Sequence, residues 1–586
     1  MKKFAYTLFF STAFTDAFAQ QPATDIIIRE VRLSDKSAFN KNASVQIISA
    51  ADIQRMNAHS VADILHYALG VQAGNRGMDN AQTDIKINGG TFEQTMILIN
   101  GHPVIDAQTG HHLMNLPIHI NDIHHIEIIA GPRAHSYGIN GLAGSINIVT
   151  KQENKNSVTA SLFAGSSFGK DSSGNTTYAS GGVHAGATHH SKYANQYLSL
   201  SALKSSGFMY NTAVNNAKFF YSNDVQLPHD HSFKLQVAYV SNACGANGFY
   251  AYPYDKNSTE KVNTLWATLD HQKQFNVKWK IKSNIALRRN TDDYIFIKSN
   301  PSYYHNVHKS LSTNVNVNAI YTHKMGEFAL GLNSNYQQIN STNLGKNERF
   351  NNGLFAENSF RYKSFNASAG LYTNYNSVWG FSVLPGIDIG YAPTDRIRVY
   401  ASAGSANRIP TYTDLYYKGP SNIGNSQLLP ERSYGVDAGA KYESAKYQVS
   451  ASVFHRKVSN LIDWTKDKNA SIWQPSNFGL QTIQGAQLMT RLLFNSQEPV
   501  FLKELSAKYQ FINSGIVNTL QQTDSKYALD YFRHQAVGAA TVSVYNQVML
   551  TISARYQYRF NYHDYTLMDA RIGYAGKRMN LYADVN

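Results

Sequence analysis

The 586-residue sequence predicts a mainly β protein, a compact mixed α/β unit followed by a large antiparallel transmembrane β-barrel, on three observations. From about residue 158 onward, apolar and polar residues alternate with period two along strand after strand. Residues 83–151 break that pattern with short strands and tight glycine-bearing turns. The long alternating region holds about 430 residues, and roughly 20 residues per strand and turn gives on the order of 20 strands, the size range of large plugged barrels. The compact unit must therefore be seated against or inside a large β structure.

Residues 1–19 have a basic start at Lys2 and Lys3, an apolar middle and the small-residue end Ala17-Phe18-Ala19. That is the pattern of a secretory signal cleaved near Ala19 and Gln20. Residues 20–44 are short, polar and mixed around one apolar knot, Ile26-Ile27-Ile28, and read as an arm that a partner can capture as an added strand. A first strand at 30–33 is the alternative. The compact unit then runs from 45 to 151. Ser49 caps a short helix to Met56 with Asp52 in its first turn. A second helix is expected over 60–69, with Val61, Ile64, Leu65 and Ala68 on one face and Gly70 ending it. Strands follow at 84–88, at 96–99 closing on the Asn100-Gly101 turn, at 104–105, at 126–129 before Gly131-Pro132, and at 145–150.

In the barrel region, 152–586, Phe233, Leu235, Val237 and Tyr239 alternate with Lys234, Gln236 and Ala238. The stretches 275–282, 397–403 and 447–453 behave in the same way, so each is expected to form a strand with one apolar and one polar face. In a soluble sandwich the apolar faces would meet in a core; in an outer-membrane barrel they face lipid and the polar faces line a wet lumen. Closure also removes the unpaired edges that so long a β chain would expose. Polar, aromatic-rich stretches at 244–259 and 299–312 read as outward loops.

Composition agrees. Charged residues are 16% and aromatics 12%, with 38 Tyr, which suits aromatic girdles, while mean hydropathy is slightly negative. Beyond the N-terminus there is no uninterrupted apolar run long enough for a membrane helix. The net charge of +14 is dispersed rather than clustered, which argues against nucleic acid. Cys244 is the single cysteine, so strand pairing rather than disulfides holds the exported chain together.

With these elements in place, the chain resembles the TonB-dependent outer-membrane receptors, in particular the cobalamin-transporter-like branch of the Bacteroidetes type. Ile87-Asn88-Gly89-Gly90, Ile97-Leu98-Ile99-Asn100-Gly101, residues 126–138 with Gly131-Pro132-Arg133, and Gly144-Ser145-Ile146-Asn147-Ile148-Val149-Thr150 match the family's plug motifs. Asn407-Arg408-Ile409-Pro410-Thr411, Asp414-Leu415 and Leu429-Pro430-Glu431 match its barrel motifs, in which the prolines end strand pairing. Three plug positions depart from the pattern. Asn88 and Ala130 stand where arginine is usual, and Leu69 stands where a proline usually precedes the Gly-Val pair, which leaves Arg133, with Glu127, as the expected plug–barrel contacts. The sequence stops at Asn586, before the further hairpin and terminal aromatic residue of the relatives, so the expectation is either a fragment of a barrel of about 22 strands, the favoured reading, or a barrel one strand short with an open seam.

The resemblance implies active import of a scarce small ligand across the outer membrane of a Gram-negative bacterium, with no enzymatic activity and no cofactor. Cobalamin or a related corrinoid leads, an iron-siderophore or haem is the alternative, and a non-transporting adhesin or assembly barrel is a distant third. The implied partners are the TonB–ExbB–ExbD energy-coupling system, outer-membrane lipid and lipopolysaccharide, and the ligand itself; the receptor is expected to be a monomer. Thr24, Asp25, Ile26, Ile27 and Ile28 are the expected TonB box. The loop from Asp106 to Asn115 is expected to reach the ligand from the plug apex, through Asp106, Gln108, His111, His112 and Asn115. No metal site is assigned, although His111 and His112 carry imidazoles that could ligate haem iron or another metal. His124 and His125, adjacent on a strand, point opposite ways unless a bulge intervenes. No catalytic residues are expected, because the carboxylates Asp84, Glu93, Asp106, Asp122 and Glu127 read as turn residues and salt-bridge partners, and no nucleophile elbow, phosphate loop or zinc motif is present.

Overall fold

The computed structural model describes residues 8–13, 27–28, 36–77, 81–133, 138–170, 177–251, 253–468, 470–494, 501–518, 523–545 and 547–586. From the strand Ser157–Lys170 to the strand Asn580–Val585, 21 antiparallel strands follow one another in a single sheet. Each pairs with its sequence neighbour, apart from short strands set in the loops. Because 21 is odd, the first and last strands run the same way, and a strand pairing with both must run opposite to them. Leu8–Ala13 takes that place, antiparallel to Ser157–Lys170 on one side and to Asn580–Val585 on the other, and closes the ring. These residues belong to the expected signal segment, and their backbone supplies ladder partners for two otherwise unpaired edges.

Burial follows the membrane rule. In the strand His231–Gly245, Lys234, Gln236 and Ala238 are buried, while Leu235 and Tyr239 stand about two-fifths exposed. In Ile397–Arg408, Arg398 is buried and Ile397 and Val399 are exposed. Apolar side chains face outward and polar ones inward, as an outer-membrane barrel requires.

Two stretches differ from expectation. Residues 275–278 form a turn and the strand begins at Trp279, because the Asn276 side-chain oxygen accepts from the backbone N–H groups of Lys278 and Trp279 at 2.9 and 3.1 Å. Of 299–312, the segment from His305 onward belongs to the 19-residue strand His305–His323, far longer than the 9–11 residues that cross a bilayer, so its outer part projects beyond the lipid, where His305 and Lys309 interrupt the apolar face of Val307 and Leu311.

Inside the ring sits the plug. Its five-stranded sheet has the order Val45–Ser49, Ile123–Ala130, Gly144–Thr150, Thr95–Ile99, His102–Pro103, with one parallel pair between Gly144–Thr150 and Thr95–Ile99. Ile48, Ile97, Ile99, Ile126, Ile128, Ile146 and Ile148 fill its core together with Ile64, Leu65 and Trp266 of the wall. Ser49 caps Ala50–Arg55 and Ser60 caps Val61–Leu65, each in a reciprocal capping box with the Asp three residues on. The second helix stops at Leu65, short of the expected 69. Its last turn is unwound by competing amides: the Leu69 N–H donates to Gln46 Oε1, the Gly70 N–H donates to Gln535 Oε1, and Gln535 Nε2 donates to the Ala68 carbonyl. Gly70 adopts φ +76°, where a Cβ would lie 2.2 Å from Asn88 Oδ1.

Candidate functional site

The plug meets the wall through buried polar contacts at several heights. On the side of the short turns, Arg491 binds Asp52 at 2.7 Å and Arg55 binds Glu504 at 2.8 Å. Burial opposes the Asp52 carboxylate, but Arg491 and then Arg55 hold it well below the usual carboxylate range. Asp122 accepts hydrogen bonds from Ser199 Oγ at 3.0 Å and the Tyr197 hydroxyl at 2.7 Å, and His184 Nε2 lies 3.0 Å away. Burial again pushes this carboxyl up; the His184 hydrogen bond leads the opposing influences and brings it down to about 2.

Arg133 reaches into the wall. Its guanidinium pairs with Asp388 and donates to Ser402 Oγ at 2.7 Å and Asp437 Oδ1 at 3.3 Å, so one plug residue ties three neighbouring strands. Glu127 accepts from Asn147 Nδ2 at 2.9 Å, with His125 Nε2 at the same distance from its other oxygen, both partners within the plug. The basic contact missing at Asn88 is supplied from the opposite side: Arg456 of the wall donates to the Asn88 carbonyl at 3.1 Å, while Gln487 and Gln510 donate to its Oδ1. The barrel motif places Arg408 where its guanidinium pairs with Glu93 of the plug and with Asp414 at 2.8 Å and Glu431 at 3.4 Å. That knot joins the plug apex to the loop helix Tyr412–Tyr416, which Thr411 caps.

The apex loop reaches the wall rather than an open vestibule. Arg288 pairs with Asp106, whose carboxylate also accepts from Asn290 at 3.0 Å and Ser310 at 3.2 Å. Gln108 donates to Asp292 at 2.6 Å, and Asn115 donates to Thr264 at 2.8 Å. His111 and His112, side by side on the turn Gly110–His112, diverge. His111 Nδ1 lies 2.7 Å from Asp84 Oδ1, and its ring stacks on Phe92 at 4.4 Å. Burial lowers the His111 pKa, with Asp84 opposing. Burial pushes the Asp84 carboxyl up, but His111 and Arg76 overcome it and hold it well below its usual range. His112 turns instead to Glu260 and Asp292 of the wall. Burial would push the His112 imidazole down, but Asp292, Glu260 and Asp106 overcome it and hold it up at about 9. At His124 and His125 a bulge does intervene, and the two Nδ1 atoms meet at 2.7 Å.

Sequence reasoning missed the loop aromatics that lie over the apex. Tyr250 and Tyr527 stand edge-on to His111 at 6.0 and 6.2 Å, and Arg76 lies over Tyr250. Farther along, Tyr304 and Tyr417 share a hydroxyl contact at 3.0 Å, and Lys526 lies over Trp464 and Trp473. The aromatic richness of the loops was the available signal, but without spacing rules it names no partner. Between the plug apex and the wall, a cavity of about 90 Å³ is lined by Asp106, Arg349, Arg408 and an amide row that includes Asn314, Asn316, Asn333 and Asn335. Small-molecule pockets run to about 300–1,000 Å³, so this gap admits a few waters rather than a ligand.

Of the expected TonB box, Thr24, Asp25 and Ile26 lie outside the described residues. Ile27 and Ile28 pair with Ser37 and Lys36 in a two-stranded ribbon.

Comparison with known proteins identifies this architecture. The family model for the TonB dependent receptor-like β-barrel matches residues 199–586, and that for the TonB-dependent receptor plug domain matches 37–145. Among curated relatives, the vitamin B12 transporter BtuB of Vibrio vulnificus is 23% identical over 76% of this chain and 72% of its own, and that of Photobacterium profundum is 22% identical over 80% and 76%. Among solved structures, the siderophore receptor PirA of Pseudomonas aeruginosa superposes with a TM-score of 0.72 at 15% identity, covering 92% of this chain and 98% of its own. The unliganded ferric citrate transporter FecA gives 0.74 at 12% identity, covering 94% and 97%. At such identities the structural likeness speaks to fold alone. The plug and barrel matches together show that the chain belongs to the TonB-dependent receptor family, non-enzymatic transporters of the Gram-negative outer membrane.

Proposed function

We propose that this receptor imports a corrinoid of the cobalamin class, binding it outside over the plug apex and admitting it when TonB pulls on the plug. The observation that carries the reading is the function named for the curated relatives that align over 76% and 80% of this chain, vitamin B12 transport. The roof of Tyr250, Tyr527, Tyr304, Tyr417, Trp464 and Trp473 supports it, since aromatic faces suit a large, partly planar ligand. Residues 24–28 act as the TonB box, pairing as an added strand with TonB, which ExbB and ExbD energise. Lipid and lipopolysaccharide cover the outward apolar belt of a monomeric barrel.

A second reading, an iron-siderophore or haem receptor, is favoured by one observation. His111 presents an imidazole whose Nδ1 is taken by Asp84, which fixes its tautomer, within an aromatic cluster able to pack on a macrocycle. Direct titration of the purified receptor with cyanocobalamin, haemin and a ferric siderophore, read by quenching of the loop tryptophans, separates the two. Saturable binding of cyanocobalamin alone supports the first; binding of haemin or the siderophore without it refutes the first.

A further inference from the structure

Glu260 and Asp292, near the outer ends of the neighbouring wall strands Thr259–Gln274 and Trp279–Ile295, and His112 of the plug apex bring one ligand atom each to within 4.8 Å of one another. All three residues are 3% exposed. Neither nitrogen of His112 has a hydrogen-bond partner, and its Nε2 stops 3.6 Å from Glu260 Oε1, beyond hydrogen-bond reach. Asp292 Oδ1 and Gln108 Oε1 are also buried and unpartnered.

Two buried carboxylates face His112, and one proton on its imidazole balances only one of their two charges, so the cluster calls for further positive charge. Arg288 is committed to Asp106 and to the His112 carbonyl, and Lys218 is turned to the Ile118 carbonyl. The remaining hydrogen bonds hold the acids in place without neutralising them: the Tyr250 hydroxyl donates to Glu260 at 2.7 Å and Gln108 Nε2 donates to Asp292 Oδ2. Ligands about 2.0–2.1 Å from a tetrahedral ion stand roughly 3.3 Å from one another, so small side-chain movements complete a first shell here. A cavity of about 20 Å³ bordered by His112 and Glu260 leaves room for one water as a further ligand.

We propose that His112, Glu260 and Asp292 bind a divalent first-row transition-metal ion of the zinc class, which clamps the plug apex to two adjacent wall strands. One imidazole and two carboxylates select such an ion over calcium, which prefers an all-oxygen shell. The site is independent of the cargo, since it lies between plug and wall and uses no ligand-derived group.

The test uses tag-free full-length receptor in detergent, stripped with a chelator and titrated calorimetrically with Zn²⁺, Co²⁺ and Ca²⁺. The expected result is one Zn²⁺ per chain with micromolar or tighter affinity. His112→Ala, Glu260→Gln and Asp292→Asn should each weaken it at least about tenfold, while His189→Ala, at an exposed strand end, leaves it unchanged. Bound Co²⁺ should show the visible bands of a low-coordinate site with a nitrogen ligand. Heat-modifiable migration checks that each variant retains its barrel. Absence of stoichiometric Zn²⁺ binding overturns the proposal, as does equal binding by His112→Ala, or a preference for Ca²⁺.

Discussion

Arg133→Met removes a buried cation that Asp388 and Asp437 share, leaving two wall carboxylates facing an apolar side chain. Arg133 is 5% exposed, so solvent cannot take its place. Removing one partner of a buried ion pair costs about 3–5 kcal/mol, because the charge left behind is uncompensated. At 1.4 kcal/mol per decade the plug's opening constant should rise roughly 100- to 4,000-fold. Backbone hydrogen exchange followed by mass spectrometry reads this as lost protection in Ile123–Ala130 and Gly144–Thr150, the strands that flank Arg133, with barrel protection unchanged. Arg133→Lys should lose less, since it keeps the charge and gives up the fork that spans Ser402 and Asp437. Combining Arg133→Met with Asp388→Asn and Asp437→Asn should restore part of the protection, because the orphaned charges are gone. Unchanged exchange in Arg133→Met, or a triple variant less protected than the single one, would refute the reasoning.

Ile27→Pro should abolish uptake while leaving ligand affinity intact, because proline cannot donate within an added strand; normal transport would contradict residues 24–28 as the TonB box. Between about pH 4 and 2 the plug should loosen. The folded Asp122 pKa, about 2, lies below its ordinary value, so its contribution is complete above that value and is lost as pH falls through the folded one. Asp122→Asn should lack that part of the acid transition when followed by exchange, and identical curves would contradict the assignment. Arg408→Met should increase exchange around 91–95 and in the loop helix Tyr412–Tyr416 together, since the knot joins them; an effect confined to one side would show that the knot is not shared.

The sequence carried the plug and barrel because their rules are local: the Ser49 cap, the Asn100-Gly101 turn, and period-two alternation that lipid and lumen impose. It misled where a local pattern was shared by two structures. Residues 275–278 alternate, yet they turn through the side chain of Asn276. The outer part of His305–His323 mixes His305 and Lys309 with Val307 and Leu311 on its outward face, and so reads as a loop. The second helix was overread because its unwinding is caused by Gln46 and Gln535, the latter far along the chain. The candidate site was least legible for the same reason. The apex loop was found by position, but the partners of Asp106, Gln108, His112 and Asn115 lie on wall strands, and no spacing in the sequence joins His112 to Glu260 and Asp292.

The proposed function is energised import of a corrinoid past a plug that moves. Uptake of labelled cyanocobalamin by cells that express this receptor in place of their own, with and without functional TonB, tests it most directly. The account predicts saturable accumulation that disappears without TonB while surface binding persists. Accumulation that does not need TonB, or no corrinoid uptake by cells that take up haem or a ferric siderophore through this receptor, would contradict it.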